Sequence, residues 1–582
     1  MCGIFGAIGW EQFNSEGVYS SLKGRGPDSH GIWSNTKNGI CCSLFHTRLA
    51  IQDVTHLGHQ PMVSENKDLV IVFNGEIYNK TELRNGLQLN GYQFKSDSDT
   101  EVLLKGFEHW QDKLWGKLNG IFAIACWEIS SQTLTLVRDR FGVKPLLLYQ
   151  TGNKCAFSSE LSALLASEVM KDIRVNSSSI ESYSLWGAVA SPNTILKQVN
   201  MIEAGKITKR HSNGAWLIND FVESENEPAL HDKNWTLSNA VNAIENRLIE
   251  AVKQQSIGDY PIGIFLSGGI DSGLIASVLN EIQEENIKSV SIGFKGLSGV
   301  KDELKLAEKT AKAIGIDHIS IKVSSSDLDE NFDLFLNSID QPSIDGFNSF
   351  LVAKAARSEG MRVCFSGLGA DEVFGGYSHM QDTSLYSANK KRILKFNGLS
   401  KSLRNYHAQQ RLMKLNLKTQ NIIEPTMHAI SKLELCGYLQ DTLLRDSDAV
   451  TMAQGLELRV PFLDQQLVSL ARSIPSSIHN EIGPKSILVK IAKQRLPAEI
   501  VNSPKQGFNL ALADWIVNNT RFSPDRIYPL INKGLRAQDV RISKKSFYAS
   551  WLLLKFSYRW SPYWRWIVLG EWLALHSESL NI

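Results

Sequence analysis

Residues 261–279 read PIGIFLSGGIDSGLIASVL, and this stretch decides the fold. Ile262, Ile264, Phe265 and Leu266 make an apolar run of strand length, Gly268 and Gly269 free the backbone to turn, and Leu274, Ile275 and Val278 follow at helical spacing. A strand, a glycine turn and a helix N-terminus in that order gather backbone N–H groups around one point, where the helix dipole favours an anion. Ser267 and Ser272 add hydroxyl donors. Asp271 stands among these donors, and phosphates repel a carboxylate unless a divalent cation lies between them, so Asp271 is a candidate magnesium ligand. An ordinary βα turn, with Ser and Asp as helix caps, uses the same residues.

No lysine follows the turn, which excludes the GxxxxGK[ST] loop of common ATPases. The wording SGGIDS, from Ser267 to Ser272, instead resembles the pyrophosphatase-type (PP-loop) ATP loop of enzymes that cleave ATP to AMP and pyrophosphate. The resemblance implies ATP and Mg2+ as cofactors and adenylation of a carboxylate or carbonyl.

A chain of 582 residues is too long for one core, and two to four domains follow from roughly 150 residues per domain. With 43% hydrophobic residues, 21% charged residues and a formal net charge of +2, nothing asks for nucleic acid, an anionic membrane or disorder. The seven cysteines, at positions 2, 41, 42, 126, 155, 364 and 436, form no CxxC pair and no metal-ligand spacing. An odd number suits reduced thiols and a cytoplasmic setting. No apolar run reaches the roughly 18 residues of a membrane span. The aromatic stretch 551–575 comes nearest, but Lys555, Arg559, Arg565 and Glu571 interrupt it, so a packed C-terminal helix is expected.

Cys2 follows the initiator methionine, so removal of Met1 would place a thiol and a free α-amine on one residue, a self-contained nucleophile and base. A small buried cysteine is the plain alternative. Arg48, in HTRLAI, is a cation able to grip an α-carboxylate. The apolar run 70–73 reads as a strand ending at Asn74-Gly75-Glu76, where the Asn amide and the Gly N–H suit an oxyanion hole and Glu76 an ammonium group. Asp99, in SDTE, supplies a second anion for that ammonium. Each of these also reads as a turn, a surface charge or a helix cap.

Cys2-Gly3, RGPD from Arg25, HTRLAI, GHQP from Gly58, NGEIYN from Asn74, SDTEV, RDRFGVKPL from Arg138 and SSEL from Ser158 together resemble the N-terminal-nucleophile (Ntn) glutaminase domain of asparagine synthetase. Gly24 departs from the histidine that often precedes the RGPD arginine. The resemblance implies an αββα Ntn-hydrolase sandwich over residues 2–210, with Cys2 forming a γ-glutamyl thioester. Asn74 and Gly75 would hold the oxyanion, and Arg48, Glu76 and Asp99 would bind L-glutamine. Alternating segments at 121–127 and 133–137 suit such a sandwich. Residues 206–221 lose clear periodicity and 222–235 are polar, so 211–236 is expected to be the linker. Residues 237–582 would be an asparagine-synthetase-type ATP-binding domain, a doubly wound parallel sheet.

Its expected strands are 289–294, 318–323 and 362–365, alternating with a helix over 304–314. SGLGADE, from Ser366, puts Glu372 where a dinucleotide fingerprint needs its third glycine, which excludes NAD. By the resemblance, Asp371 is the second magnesium carboxylate beside Asp271. Leu266 and Ile292 flank adenine, Ser366 and Gly367 meet the nucleotide, and Lys485, in GPKSIL, reaches the pyrophosphate. LLRDSDAVTMAQGLELRVPFLD, from Leu443 to Asp464, also matches, and the similarity runs to about Phe508.

Two positions in the second half also leave the asparagine synthetase pattern. Leu368 stands where the family has a glutamate that takes a proton from ammonia, and leucine is no base. Asp345 stands where the best match has an aspartate-binding arginine. Both fall on the acceptor side, so an altered acceptor is expected, a sugar uronate of surface polysaccharide synthesis, with L-aspartate as the alternative. A catalytically silent homologue and a cyclising relative are further readings, opposed by the intact nucleophile and metal carboxylates. No nucleic-acid partner is expected, and a homodimer is left open.

Overall fold

A computed structural model of the chain describes residues 2–221, 234–283, 287–294, 303–381, 427–503, 512–538 and 540–580. Its first half stacks two six-stranded antiparallel sheets. One has the order β10-β8-β9-β1-β3-β2, built from β1 (Cys2–Ile8), β2 (Ser29–Lys37), β3 (Ile40–Arg48), β8 (Leu147–Thr151), β9 (Lys154–Ser158) and β10 (Val199–Met201). The other has the order β12-β11-β7-β6-β5-β4, built from β4 (Met62–Val63), β5 (Leu69–Ile77), β6 (Gly120–Glu128), β7 (Thr133–Arg138), β11 (Lys206–Arg210) and β12 (Trp216–Asp220).

Side-chain alternation explains the layering. On β1, Ile4 and Ile8 join Leu44, Val70, Val72 and Ala125 in the seam between the sheets. Phe5 and Ala7 face the other way, against Leu22 and Leu164 of the helices Ser15–Leu22 and Leu161–Ala166. On β5, Val70 and Val72 enter the seam while Leu69, Ile71 and Phe73 meet Leu83, Leu103 and Phe107 of the outer helices. Helix, sheet, sheet and helix therefore stack as an αββα sandwich.

The second half carries a parallel sheet of order β15-β14-β13-β16-β17, from β13 (Ile262–Phe265), β14 (Lys288–Phe294), β15 (Asp317–Val323), β16 (Val363–Phe365) and β17 (Glu457–Arg459). The chain moves outward from β13 to β14 and β15, then returns to place β16 on the other side of β13. That reversal is a topological switch point, and the loops after β13 and β16 flank its crevice. Leu274, Ile275 and Val278 pack one face with Val241, Ile244 and Leu248 of the helix Leu237–Gln255. Ala353, Ala356 and Met361 cover the other.

Several local expectations change. Residues 206–221 form the β11–β12 hairpin, and β12 falls within the stretch read as linker. Its periodicity is hidden because β12 is a sheet edge with Leu217 and Ile218 exposed. Residues 222–233 of that stretch, and Phe508, lie outside the described residues. β5 does not end at Asn74 but runs through Asn74-Gly75-Glu76 to Ile77. The C-terminal stretch is two helices, Lys544–Ser557 and Ser561–Leu575, separated at Tyr558, whose φ is +53°. Tyr563, Trp564, Trp566 and Trp572 are buried there, and among the described residues no helix is long and apolar enough to cross a membrane. The two halves share a core: Phe5 and Tyr183 of the first lie in one cluster with Phe332, Trp515 and Trp564 of the second.

Candidate active sites

Cys2 opens β1 and lies opposite Arg48 of β3. Its backbone N–H donates across the seam to Asn74 Oδ1 at 3.1 Å. Asn74 is fully buried, and its Nδ2 has no hydrogen-bond partner among the described residues. A buried donor left unmade costs about 1–3 kcal/mol. Lying on the amide that anchors Cys2, it is suited to a developing oxyanion. Gly75 is dictated by space, since a Cβ there would lie 2.1 Å from the Ile121 carbonyl oxygen and 2.7 Å from Phe122 Cα.

Arg48 turns its guanidinium to the loop that follows β3, donating to the carbonyls of Thr55 at 2.7 Å and of Asp53. Glu76 accepts from Gln52 Nε2, and Gln52 Oε1 accepts from Lys80 Nζ at 2.6 Å. Both residues expected to meet the polar end of glutamine are thus tied to loop 52–55. Asp99 sits in the first turn of the helix Asp99–Trp110, where its Oδ2 accepts from the Ile77 N–H at 3.3 Å. Burial pushes the Glu76 carboxyl well above the usual range, with Glu457 and Asp99 adding and Arg459 opposing. Burial likewise raises Asp99. An incoming ammonium relieves both. Burial also pushes the Cys2 thiol up, while Arg48 draws it down.

The sequence reading did not anticipate Arg459. From β17 of the second half it reaches within 3.9 Å of Glu76 while its Nε donates to Glu457 at 2.6 Å. Only the folded juxtaposition of β5 and β17 reveals it. Beside it, a narrow crevice has Tyr78, Ile121 and Phe122 on one wall and Gln255, Val460 and Leu463 on the other.

At the switch point, Leu266 closes the end of β13 by donating its N–H to the Val290 carbonyl at 3.0 Å, and Ile292 is buried on β14. Gly268 takes φ +73°, and Gly269 caps the helix Ile270–Ile282 without a side-chain bond. Ser267 N–H donates to Ser272 Oγ at 3.2 Å, and the two hydroxyls are 3.1 Å apart. Ser366 and Gly367 follow β16. A Cβ at Gly367 would sit 3.0 Å from Asp271 Cβ and 3.2 Å from Ser272 N, so the two loops touch.

Lys485 completes the group. Its Nζ lies 2.8 and 2.7 Å from the Asp271 oxygens and 2.5 Å from Asp371 Oδ1. Burial lowers the Lys485 pKa, but Asp271 and Asp371 outweigh it and the net shift is upward. Lys485 holds φ +55°, a left-handed strain of the kind that functional positions retain. A Cβ at Gly376 would fall 1.8 Å from Asp371 Oδ1, so only glycine permits this approach. Two carboxylates converging on one positive charge fit Mg2+, which uses one or two carboxylates and fills its shell with phosphate oxygens and water.

Leu368, expected on the acceptor side, packs among apolar residues. Asp345 Oδ1 accepts from the Gly346 N–H at 2.8 Å, and burial raises its pKa. Asp446 faces it, pushed up to about 6 by burial despite Arg445 and Ser343.

A glutaminase sandwich joined to a nucleotide-binding parallel sheet defines a glutamine-dependent amidotransferase. The profile described as asparagine synthase matches residues 243–572, and that of the glutamine amidotransferase domain matches residues 1–220. A glutamine-hydrolysing asparagine synthetase 1 of Bacillus subtilis is 30% identical over 542 residues, 85% of this chain and 83% of that protein. Asparagine synthetase 3 of the same organism is 28% identical over 95% of both chains. A putative asparagine synthetase 2 of Methanocaldococcus jannaschii is 33% identical over 65% of this chain and 76% of its own. The chain belongs to the glutamine-hydrolysing asparagine synthetase family and is a carbon–nitrogen ligase of that type.

Proposed function

We propose that this amidotransferase transfers glutamine-derived ammonia to a carboxylate other than free aspartate, with a sugar uronate preferred. The observation that carries this reading is the acceptor side itself: a leucine at 368 and the facing carboxylates of Asp345 and Asp446. An aspartate at 345 offers an amino-acid carboxylate no cation, while carboxyl groups raised by burial can exchange hydrogen bonds with the hydroxyl groups of a sugar. Asparagine synthesis is the second reading, favoured by the relatives' printed names.

In the proposed cycle the Cys2 thiol attacks the glutamine carboxamide, its own α-amine taking the proton once Met1 is removed. Asn74 Nδ2 and the Gly75 N–H hold the oxyanion, while Arg48, Glu76 and Asp99 orient the substrate. Water then releases glutamate from the thioester. Ammonia, expelled as the thioester forms, passes to the second centre inside the protein, since ammonia released to water at neutral pH becomes mostly ammonium. At the second centre Ser267, Ser272 and the 268–269 backbone cradle ATP phosphates, with Ser366 and Gly367 closing the other wall. Asp271 and Asp371 would hold Mg2+, which when bound offsets charge on the phosphates. Lys485 turns from these carboxylates to the departing pyrophosphate, and ammonia displaces AMP from the acyl adenylate. The test is AMP release with ATP, Mg2+ and glutamine across L-aspartate, free uronic acids and nucleotide-linked uronates. Release with a uronate alone supports the reading, and release with aspartate alone refutes it.

A further inference from the structure

We propose that Asp448, in the nucleotide-binding half, is a positioning residue for the glutaminase nucleophile and acts through Arg25. Cys2 is held from two sides: its N–H by Asn74, and its carbonyl by Arg25 Nε at 3.1 Å. Arg25 is 1% exposed and spends its other nitrogens on Glu160 at 3.1 Å and Asp448 Oδ2 at 2.7 Å. The second oxygen of Asp448 accepts from the buried Lys144 Nζ at 2.7 Å. Asp448 thus joins two cations of the glutaminase half, and burial does not prevent them from holding its carboxyl below the usual range. A guanidinium with all three arms engaged has one available position, and the Cys2 carbonyl takes its place from it.

The main chain around Arg25 is equally constrained. A Cβ at Gly26 would lie 2.2 Å from the Thr47 carbonyl carbon, and one at Gly24 would lie 3.1 Å from the Ala453 carbonyl oxygen. The turn is therefore wedged between β3 and the end of the helix Arg445–Met452, which carries Asp448. The same contact bears on Gly24, where a Cβ would need the Ala453 carbonyl to give slightly.

The helix has a second engagement. Asp446, two residues before Asp448, accepts from Ser343 Oγ and lies 3.3 Å from the Cβ position of Gly346. One short helix therefore touches the acceptor-side segment with one carboxylate and the nucleophile's anchor with another. A shift of segment 343–346 is carried to Cys2 by a rigid body; this coupling rests on the acceptor site proposed above, whereas the positioning of Cys2 does not.

The test uses the full-length protein with three variants: Asp448→Asn, Asp448→Glu, and Lys144→Met combined with Asp448→Asn. The double variant removes one buried anion together with one buried cation, so it keeps the question answerable if Asp448→Asn does not fold. Glutaminase kcat and KM, the pH profile of Cys2 alkylation by iodoacetamide and ammonia-driven AMP release are measured on each. We expect glutamine kcat to fall about tenfold or more with KM within about threefold, the pattern of lost transition-state geometry. The alkylation profile shifts, Asp448→Glu recovers most of the rate, and ammonia-driven AMP release stays within about twofold. Unchanged glutaminase kcat in the folded double variant overturns the proposal, as does a parallel fall of the glutamine- and ammonia-driven rates. Absence of AMP with every acceptor would refute the functional reading alone, because glutaminase turnover and alkylation remain measurable.

Discussion

Asn74→Ala tests the oxyanion assignment through two separable losses. The side chain is fully buried, its Oδ1 receives the Cys2 N–H, and its Nδ2 has no partner among the described residues. Removing one oxyanion donor costs about 2.7–4 kcal/mol of transition-state stabilisation, or about 10²–10³ in kcat. The orphaned Cys2 N–H adds about 1–3 kcal/mol of destabilisation, which appears in the melting curve and not in KM. Glutamate release at saturating glutamine should therefore fall about 10²–10³-fold, with KM changed less than about threefold. Ammonia-driven AMP release, which bypasses Cys2, should persist at temperatures where the variant is folded. A fall of less than about tenfold, or an equal loss of the ammonia-driven rate, would refute the assignment.

Four further outcomes follow from particular contacts. Lys485→Met leaves Asp271 and Asp371 facing each other without their shared cation, so adenylation falls about 10²-fold or more, and added MgCl2 raises the melting temperature of the variant more than that of the unaltered protein. Asp340 is held at about 7 by burial, above its usual 3.8, so the stability it contributes is present at low pH and lost as pH rises through 7. Asp340→Asn keeps an acceptor for the Leu161 and Ser162 N–H groups, and its melting temperature relative to wild type should climb from about pH 5 to about pH 8. Trp564→Ala empties a site 1% exposed and stacked on Phe347 at 6.1 Å, and denaturant unfolding should show a loss of about 3–5 kcal/mol. Leu368→Glu combined with Asp345→Arg should raise aspartate-dependent AMP release about tenfold or more, as a restored base contributes about 10²–10⁴. No rise would remove the significance attached to these two positions.

The parts of the account legible in sequence are those carried by local pattern. The apolar run 262–266, the paired glycines and the helical spacing after Asp271 fixed β13, its turn and its helix, because each is set by residues a few positions apart. The helix Leu237–Gln255 is set by the same kind of local pattern, its buried face repeating at 241, 244, 248 and 252. Edge strand β12 was hidden because one of its faces never meets a core. The break at Tyr558 was hidden because aromatic residues continue on both sides of it. Asp448 and Arg25 are 423 positions apart, and Arg459 meets Glu76 across the two halves; no spacing rule reaches such pairs. The Gln52 contact with Glu76 also depends on how the 49–58 loop folds back, which its composition does not encode.

The most direct test of amide transfer follows amide-¹⁵N glutamine, with ATP and Mg2+, into product by mass spectrometry, offering L-aspartate and uronates together. The account predicts ¹⁵N in a uronate amide, one AMP per amide, and no label after Cys2→Ala. Label in asparagine alone, or glutamine hydrolysis with no labelled amide and no AMP, would contradict it.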